Sequence, residues 1–86
     1  MNLFEEMEKY FPEIEKVFTA EELTMFKNTP EEELCLYHFG LGLWIRNQFL
    51  YPKDSPLRDL FVENGIIYED AMSSMMIRHF QQCITK

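Results

Sequence analysis

Residues 30–50 read PEEELCLYHFGLGLWIRNQFL, and this stretch decides the fold. Thr29 is a capping residue type, Pro30 suits the first helical turn, and Glu31, Glu32 and Glu33 favour the positive end of a helix dipole. At about 100° per residue, Leu34, Tyr37, His38, Leu41, Ile45 and Phe49 share one face. Leu36, Phe39, Leu43 and Leu50 widen the apolar arc past half the circumference. Only Glu33, Gly40 and Asn47 form a polar or small stripe. A helix apolar over most of its circumference is enclosed by other helices. The stretch therefore predicts a largely buried central helix over about 30–50.

The flanking sequence supplies the enclosing elements. Asn2 with Glu5 and Thr19 with Glu22 have the spacing of capping boxes. Leu3, Met7, Tyr10, Ile14 and Val17 recur at helical spacing, with Pro12 either kinking that run or opening a second helix. Asn28-Thr29 ends the helix that carries Leu23 and Phe26. Ser55 caps a short helix beginning at Pro56 and stopping at Asn64-Gly65. Ile66-Ile67-Tyr68 reads as an apolar connector on the core. The last helix runs from about Glu69 to Ile84, with Met72, Met75, Met76, His79, Phe80 and Cys83 on one face and Ser74, Arg78 and Gln81 on the other. The expected fold is all-α: a compact bundle of about five short helices around the central one, in a single domain over residues 1–86.

Composition and charge narrow the function classes. With 86 residues, 47% hydrophobic and 15% aromatic, the chain has material for one core. Its net charge of −7 lies wholly in residues 1–33, which hold ten glutamates against Lys9, Lys16 and Lys27. Direct nucleic-acid binding needs a basic patch, so it is not expected. An acidic face built on Glu5, Glu6 and Glu8 would instead suit a larger protein partner with a basic surface, or serve only as a solvated helix surface. The start, MNLFEEMEKY, has no basic region followed by an apolar run, and no run approaches the ~18 apolar residues of a membrane span. Two cysteines are too few for a disulfide framework, and six methionines suit a reducing interior. The expected location is cytoplasmic, with no membrane span.

Few residues invite a chemical role. Cys35 and His38 are three apart on one helix, and His79 and Cys83 four apart on another. If those faces met, the four would make a Cys₂His₂ zinc site; otherwise they are core histidines with buried thiols. Cys35 with His38 also has the composition of a nucleophile–base pair, but nothing obvious supplies an oxyanion hole. Gly40 and Gly42 lack the lysine and the strand–turn–helix context of a phosphate loop. Each glycine costs roughly 1 kcal/mol of helix propensity, which calls for a close helix approach, a shallow groove for a partner's side chain, or a local helix distortion near Trp44. Trp44, Arg46 and Asn47 are the candidate partner contacts, since Trp and Arg dominate binding hot spots. Arg46 has an internal alternative, pairing with Asp59 or Asp70. No catalytic residue and no cofactor is expected.

The run His38-Phe39-Gly40-Leu41-Gly42-Leu43-Trp44-Ile45-Arg46-Asn47, behind the acidic Pro30-Glu31-Glu32-Glu33, resembles a bacterial family of small helical domains of unknown function. That family carries the pattern His-Phe-Gly-Leu-Gly-x-Trp-Ile-Arg-Asn. The likeness spans about Asn28 to Phe49, with a looser echo in Ser55-Pro56-Leu57 and the last helix. It implies a helical domain in a bacterial or phage setting and assigns no activity. The leading expectation is a non-enzymatic protein–protein interaction module that binds and modulates a larger protein, in the manner of immunity proteins, antitoxins or phage inhibitors. A metal-binding or enzymatic domain and a structural homo-oligomer, including a homodimer, are the competing classes.

Overall fold

Side-chain caps and one proline set most of the helix starts. The computed structural model describes residues 2–85. Helix α1 (Leu3–Glu8) begins where the Asn2 side chain accepts from the Phe4 N–H at 2.8 Å. Helix α2 (Phe11–Glu15) carries Pro12 in its first turn, so the proline opens a new helix and does not kink an old one. Helix α3 (Ala20–Lys27) starts at a complete capping box. The Glu22 N–H donates to Thr19 Oγ1 at 3.1 Å, and the Thr19 N–H donates to the Glu22 carboxylate at 2.8 Å.

The central helix α4 spans 31–50 and is not uniformly α-helical. It opens with a tight 3₁₀ segment (Glu31–Tyr37), widens to π geometry (His38–Gly42), passes through one α-helical segment (Leu43–Ile45) and ends wide again (Arg46–Leu50). The Tyr51 N–H closes the last turn on the Arg46 carbonyl five residues back, at 2.8 Å. Wide turns shift the face period above 3.6. The inward residues duly recur every four positions as Leu41/Gly42, Ile45/Arg46 and Phe49/Leu50.

Ser55 turns the chain. Its hydroxyl donates to the Phe49 carbonyl at the end of α4 and accepts from the Arg58 N–H at 3.0 Å, starting helix α5 (Pro56–Glu63). Gly65, at φ +84°, closes α5, and the Ile66 N–H returns to the Phe61 carbonyl at 3.0 Å. Helix α6 (Glu69–Ile84) follows. There is no strand among the described residues, and five helices surround the central one, as expected.

Helix α4 packs along α6 and sets its last turns against α5, while α1 packs on α5 and α6 and α3 closes on α6. Phe26, Phe61, Phe80, Met7, Ile14, Ile45 and Leu57 are fully enclosed. The Phe80 ring meets Phe11 at 5.2 Å and Phe26 at 5.6 Å, and Phe26 meets Tyr37 edge-on at 4.9 Å. These aromatic contacts join α2, α3, α4 and α6.

Four expectations need correcting. Thr29 does not cap α4; its hydroxyl donates back to the Met25 carbonyl at 2.8 Å and finishes α3. In the connector only Ile66 reaches the core, while Ile67 and Tyr68 are exposed. Gln81 is not on the outer face of α6: it is buried, and its Nε2 donates to the Phe26 carbonyl at 2.9 Å and the Thr29 carbonyl at 2.6 Å. Those carbonyls lie at and just past the end of α3, where a helix runs out of its own donors, although the Phe26 carbonyl also accepts from the Thr29 N–H at 3.2 Å. Finally, α4 is enclosed on one side only, since Leu36, Phe39 and Leu43 face solvent.

Two stability results are expected. Gln81→Leu leaves the Thr29 carbonyl without its donor, removes a second donor from the Phe26 carbonyl, and lowers stability by about 1–3 kcal/mol in urea unfolding followed by helical circular dichroism. The two glycines give opposite signs. A Cβ at Gly40 meets nothing within 4 Å, so Gly40→Ala gains up to about 1 kcal/mol of helix propensity. A Cβ at Gly42 lies 3.0 Å from Arg46 Nη1, and Gly42→Ala destabilises by about 1–3 kcal/mol.

Candidate functional site

The motif of residues 38–47 divides between the two sides of α4. Its inward half is His38, Gly42 and Arg46, spaced four apart. Arg46 is only 5% exposed. Its Nη1 donates to Ser73 Oγ at 2.9 Å, and its Nη2 to the His38 carbonyl at 3.4 Å. Nε lies 3.4 Å from Asp70 Oδ1, an ion-pair distance without hydrogen-bond alignment, so this buried nitrogen has no hydrogen-bond partner. Asp70 also faces His38 Nε2 at 3.9 Å. Ser73 donates onward to the Asp70 carbonyl at 3.0 Å. Gly42 is glycine because the guanidinium folds back over it, with Ile77 of α6 close behind. Of the two readings open for Arg46, the internal pair is the one formed, and its partner is Asp70. A buried Arg46 is not a contact surface.

The outward half is different in kind. Phe39 is 82% exposed and Leu36 73%, with Leu43 on the same side at 45%. Gly40 and Asn47 are exposed among them. Phe39 rests only its edge on the His38 ring, at 5.1 Å. Beside this ridge, the missing Gly40 side chain opens a depression of about 240 Å³, walled by Val17, Phe18, Glu22, Tyr37 and Trp44. Trp44 is half-buried and packs edge-on against Phe49 at 5.5 Å. Leu36, Phe39 and Leu43 are what the sequence reading missed as surface. The available signal was their position beside the Glu33/Gly40/Asn47 stripe.

The Cys₂His₂ site does not form. His79 and Cys83 lie on the side of α6 that faces α1, whereas Ser74, Ile77 and Arg78 face the start of α4. Cys35 and His38 open onto a separate depression of about 320 Å³ with Glu31 and Arg78. Arg78 Nε pairs with Glu31 there at 3.1 Å. The Cys35 thiol donates back to the Glu32 carbonyl at 3.7 Å, and His38 turns to Asp70 and not to the thiol. His79 meets Glu8 instead, with Nε2 and Oε2 2.8 Å apart.

The N-terminal acids also part company. Glu5 is exposed, Glu8 is engaged by His79, and Glu6 is buried with Leu3 and Met7 on the inner side of α1. Glu6 accepts from Lys9 Nζ at 2.9 Å, a hydrogen bond that holds the ammonium above its ordinary range. Burial, with Glu6 nearby, likewise raises the Tyr10 phenol. A continuous acidic face over Glu5, Glu6 and Glu8 is therefore absent.

These features define a small all-α domain whose central helix is anchored on one side and presents an apolar ridge on the other. The chain belongs to the family described as a domain of unknown function (DUF6794), whose model matches residues 5–83. No curated protein and no solved structure matches it. Among the described residues, no helix is long and apolar enough to cross a membrane.

Replacing Arg46 separates packing from charge. Arg46→Met keeps the aliphatic stem against α6 and loses the bonds to Ser73 and His38, with an expected loss of about 1.5–3 kcal/mol. Asp70→Asn keeps the Ser73 bond, and because Asp70 is 68% exposed its cost stays within about 1 kcal/mol. Paired denaturant curves of the two variants check this order.

Proposed function

We propose that this domain is a protein–protein interaction module that binds and modulates a larger protein through the outward side of α4. The observation that carries the reading is Phe39, almost fully solvated in a helical row with Leu36 and Leu43 beside an open apolar depression. Contiguous apolar surface of this kind marks interaction sites, whereas scattered apolar residues do not. The row has the spacing of an amphipathic helix that enters a partner's groove. Trp44 forms the wall of a pocket for a side chain coming the other way.

Charge sets the character of the partner. Glu22 lines the depression, and Glu31, Glu32 and Glu33 stand exposed at the start of the same helix. A partner with an apolar anchor and a basic rim complements that surface, and the steering it provides falls with salt. The net charge of −7 supports the same assignment and disfavours direct binding to nucleic acid. The reading is of a cytoplasmic, non-enzymatic protein in a bacterial or phage setting, acting as an immunity protein, antitoxin or inhibitor acts.

The test is a pull-down from the source cell with the wild type, Phe39→Asp and Gly40→Ala, each first checked for helicity and mass in solution. The expected result is a monomer that retains a partner. Phe39→Asp loses it by at least about tenfold, the effect of one hot-spot residue, while folding normally. Gly40→Ala is more stable yet binds more weakly, because the methyl intrudes on the depression at its edge. Equal retention by wild type and Phe39→Asp would overturn this face. A dimeric mass that Trp44→Ala returns to monomer would replace the partner with a second copy.

A further inference from the structure

The geometry points to a three-ligand site for a divalent transition metal ion of the zinc class, formed by Glu8, His79 and Cys83. The ligand atoms all lie within 4.8 Å of one another. His79 Nε2 is the centre of the group, 2.8 Å from Glu8 Oε2 and 3.7 Å from Cys83 Sγ. In a tetrahedral zinc site with bonds of about 2.0–2.3 Å, neighbouring nitrogen and sulfur ligands stand about 3.5 Å apart. The set needs only small side-chain adjustments to surround an ion.

Hydrogen bonding alone accounts poorly for the arrangement. Nε2 has one direction, occupied either by a proton or by a lone pair. A protonated Nε2 donates to Glu8 and leaves the thiol unserved; an unprotonated one accepts from Cys83 and faces the carboxylate with its lone pair. Cys35 shows the ordinary choice for a helical thiol, donating back to a carbonyl of its own helix. Cys83 directs its sulfur to the imidazole. A cation between the three atoms satisfies all of them at once, with the thiol proton released to solvent.

The surroundings fit this role. His79 and Cys83, four apart on α6, present their donors from consecutive turns. Phe4 and Phe11 flank the imidazole, with centroids at 4.9 and 5.5 Å, and fix its plane. Glu8 sits in the last turn of α1, so the ion ties the first helix to the last. Three ligands leave a fourth position for water or an outside group.

The test uses the full chain, metal-free and reduced, titrated with Co²⁺ and then with Zn²⁺. One Co²⁺ per chain should bind with a near-ultraviolet thiolate-to-cobalt band, which Zn²⁺ displaces. Cys83→Ser abolishes the band, Cys35→Ser leaves it, and His79→Ala weakens binding by more than about tenfold. Zn²⁺ raises the melting temperature of the wild type and of Cys35→Ser but not of Cys83→Ser. Absence of the band, or isotherms alike for wild type and Cys83→Ser, would overturn the site and leave adventitious binding at surface carboxylates. Circular dichroism of the metal-free variants confirms that each is folded.

Discussion

The fold depends on the seam between α4 and α6, and the seam depends on a buried guanidinium. Arg46 leaves α4, crosses over Gly42 and reaches Ser73 on α6, with the His38 carbonyl and Asp70 completing its surroundings. Burying such a group is unfavourable unless its donors are met, which makes the arrangement specific: a slip of one helix past the other strands the charge. The wide turn at 38–42 and the glycine at 42 both serve this contact, one bringing the His38 carbonyl within reach and the other clearing the path. The polar link does not supply most of the stability. That comes from the enclosed aromatics around Phe26 and Phe80 and from Ile45 and Leu57.

With one side fixed, the other side of α4 is determined. Inward residues repeat every four positions, so the residues between them, at 39–40, 43 and 47–48, return to solvent in step. A helix held this firmly presents Phe39 and Leu43 in a set orientation, and a pre-organised surface binds with less ordering cost. The anchor and the Phe39 and Leu43 part of the ridge thus belong to one ten-residue motif, read on its two sides.

Much of the fold was legible because its signals are local. The Thr19–Glu22 box, Ser55 and Gly65 act within a few residues of themselves, and the start of α3 and both ends of α5 followed from them. Several misses concern contacts remote in sequence or turns of unusual width, whereas Thr29, which bonds the Met25 carbonyl, is a local one. A wheel drawn at 3.6 residues per turn overstates the buried arc of a helix that is first tighter and then wider than that. Gln81 looked like a surface residue because its acceptors, the Phe26 and Thr29 carbonyls, are more than fifty positions away. Glu6 looked like part of an acidic surface, but its position beside Leu3 and Met7 turns it inward. His79 and Cys83 were paired correctly with each other. Their third neighbour, Glu8, was legible only once α1 lay against α6.

The exposed ridge is informative because two independent costs fall at one place. Burying a Phe or Leu side chain is worth about 1.5–3 kcal/mol, and a domain of this size has little stability to forgo. Exposed Met25 or Val62 alone would mean nothing, since isolated apolar residues are ordinary surface. Phe39 and Leu36, however, stand together on a helix whose other side is well packed. Between them and Trp44 lies Gly40, which gives up roughly 1 kcal/mol of helix propensity although a methyl group there would touch nothing. Gly42 has a steric reason inside the chain, whereas at Gly40 no neighbour excludes a side chain. On the proposed reading, the group that Gly40 makes room for is a partner's side chain entering that depression.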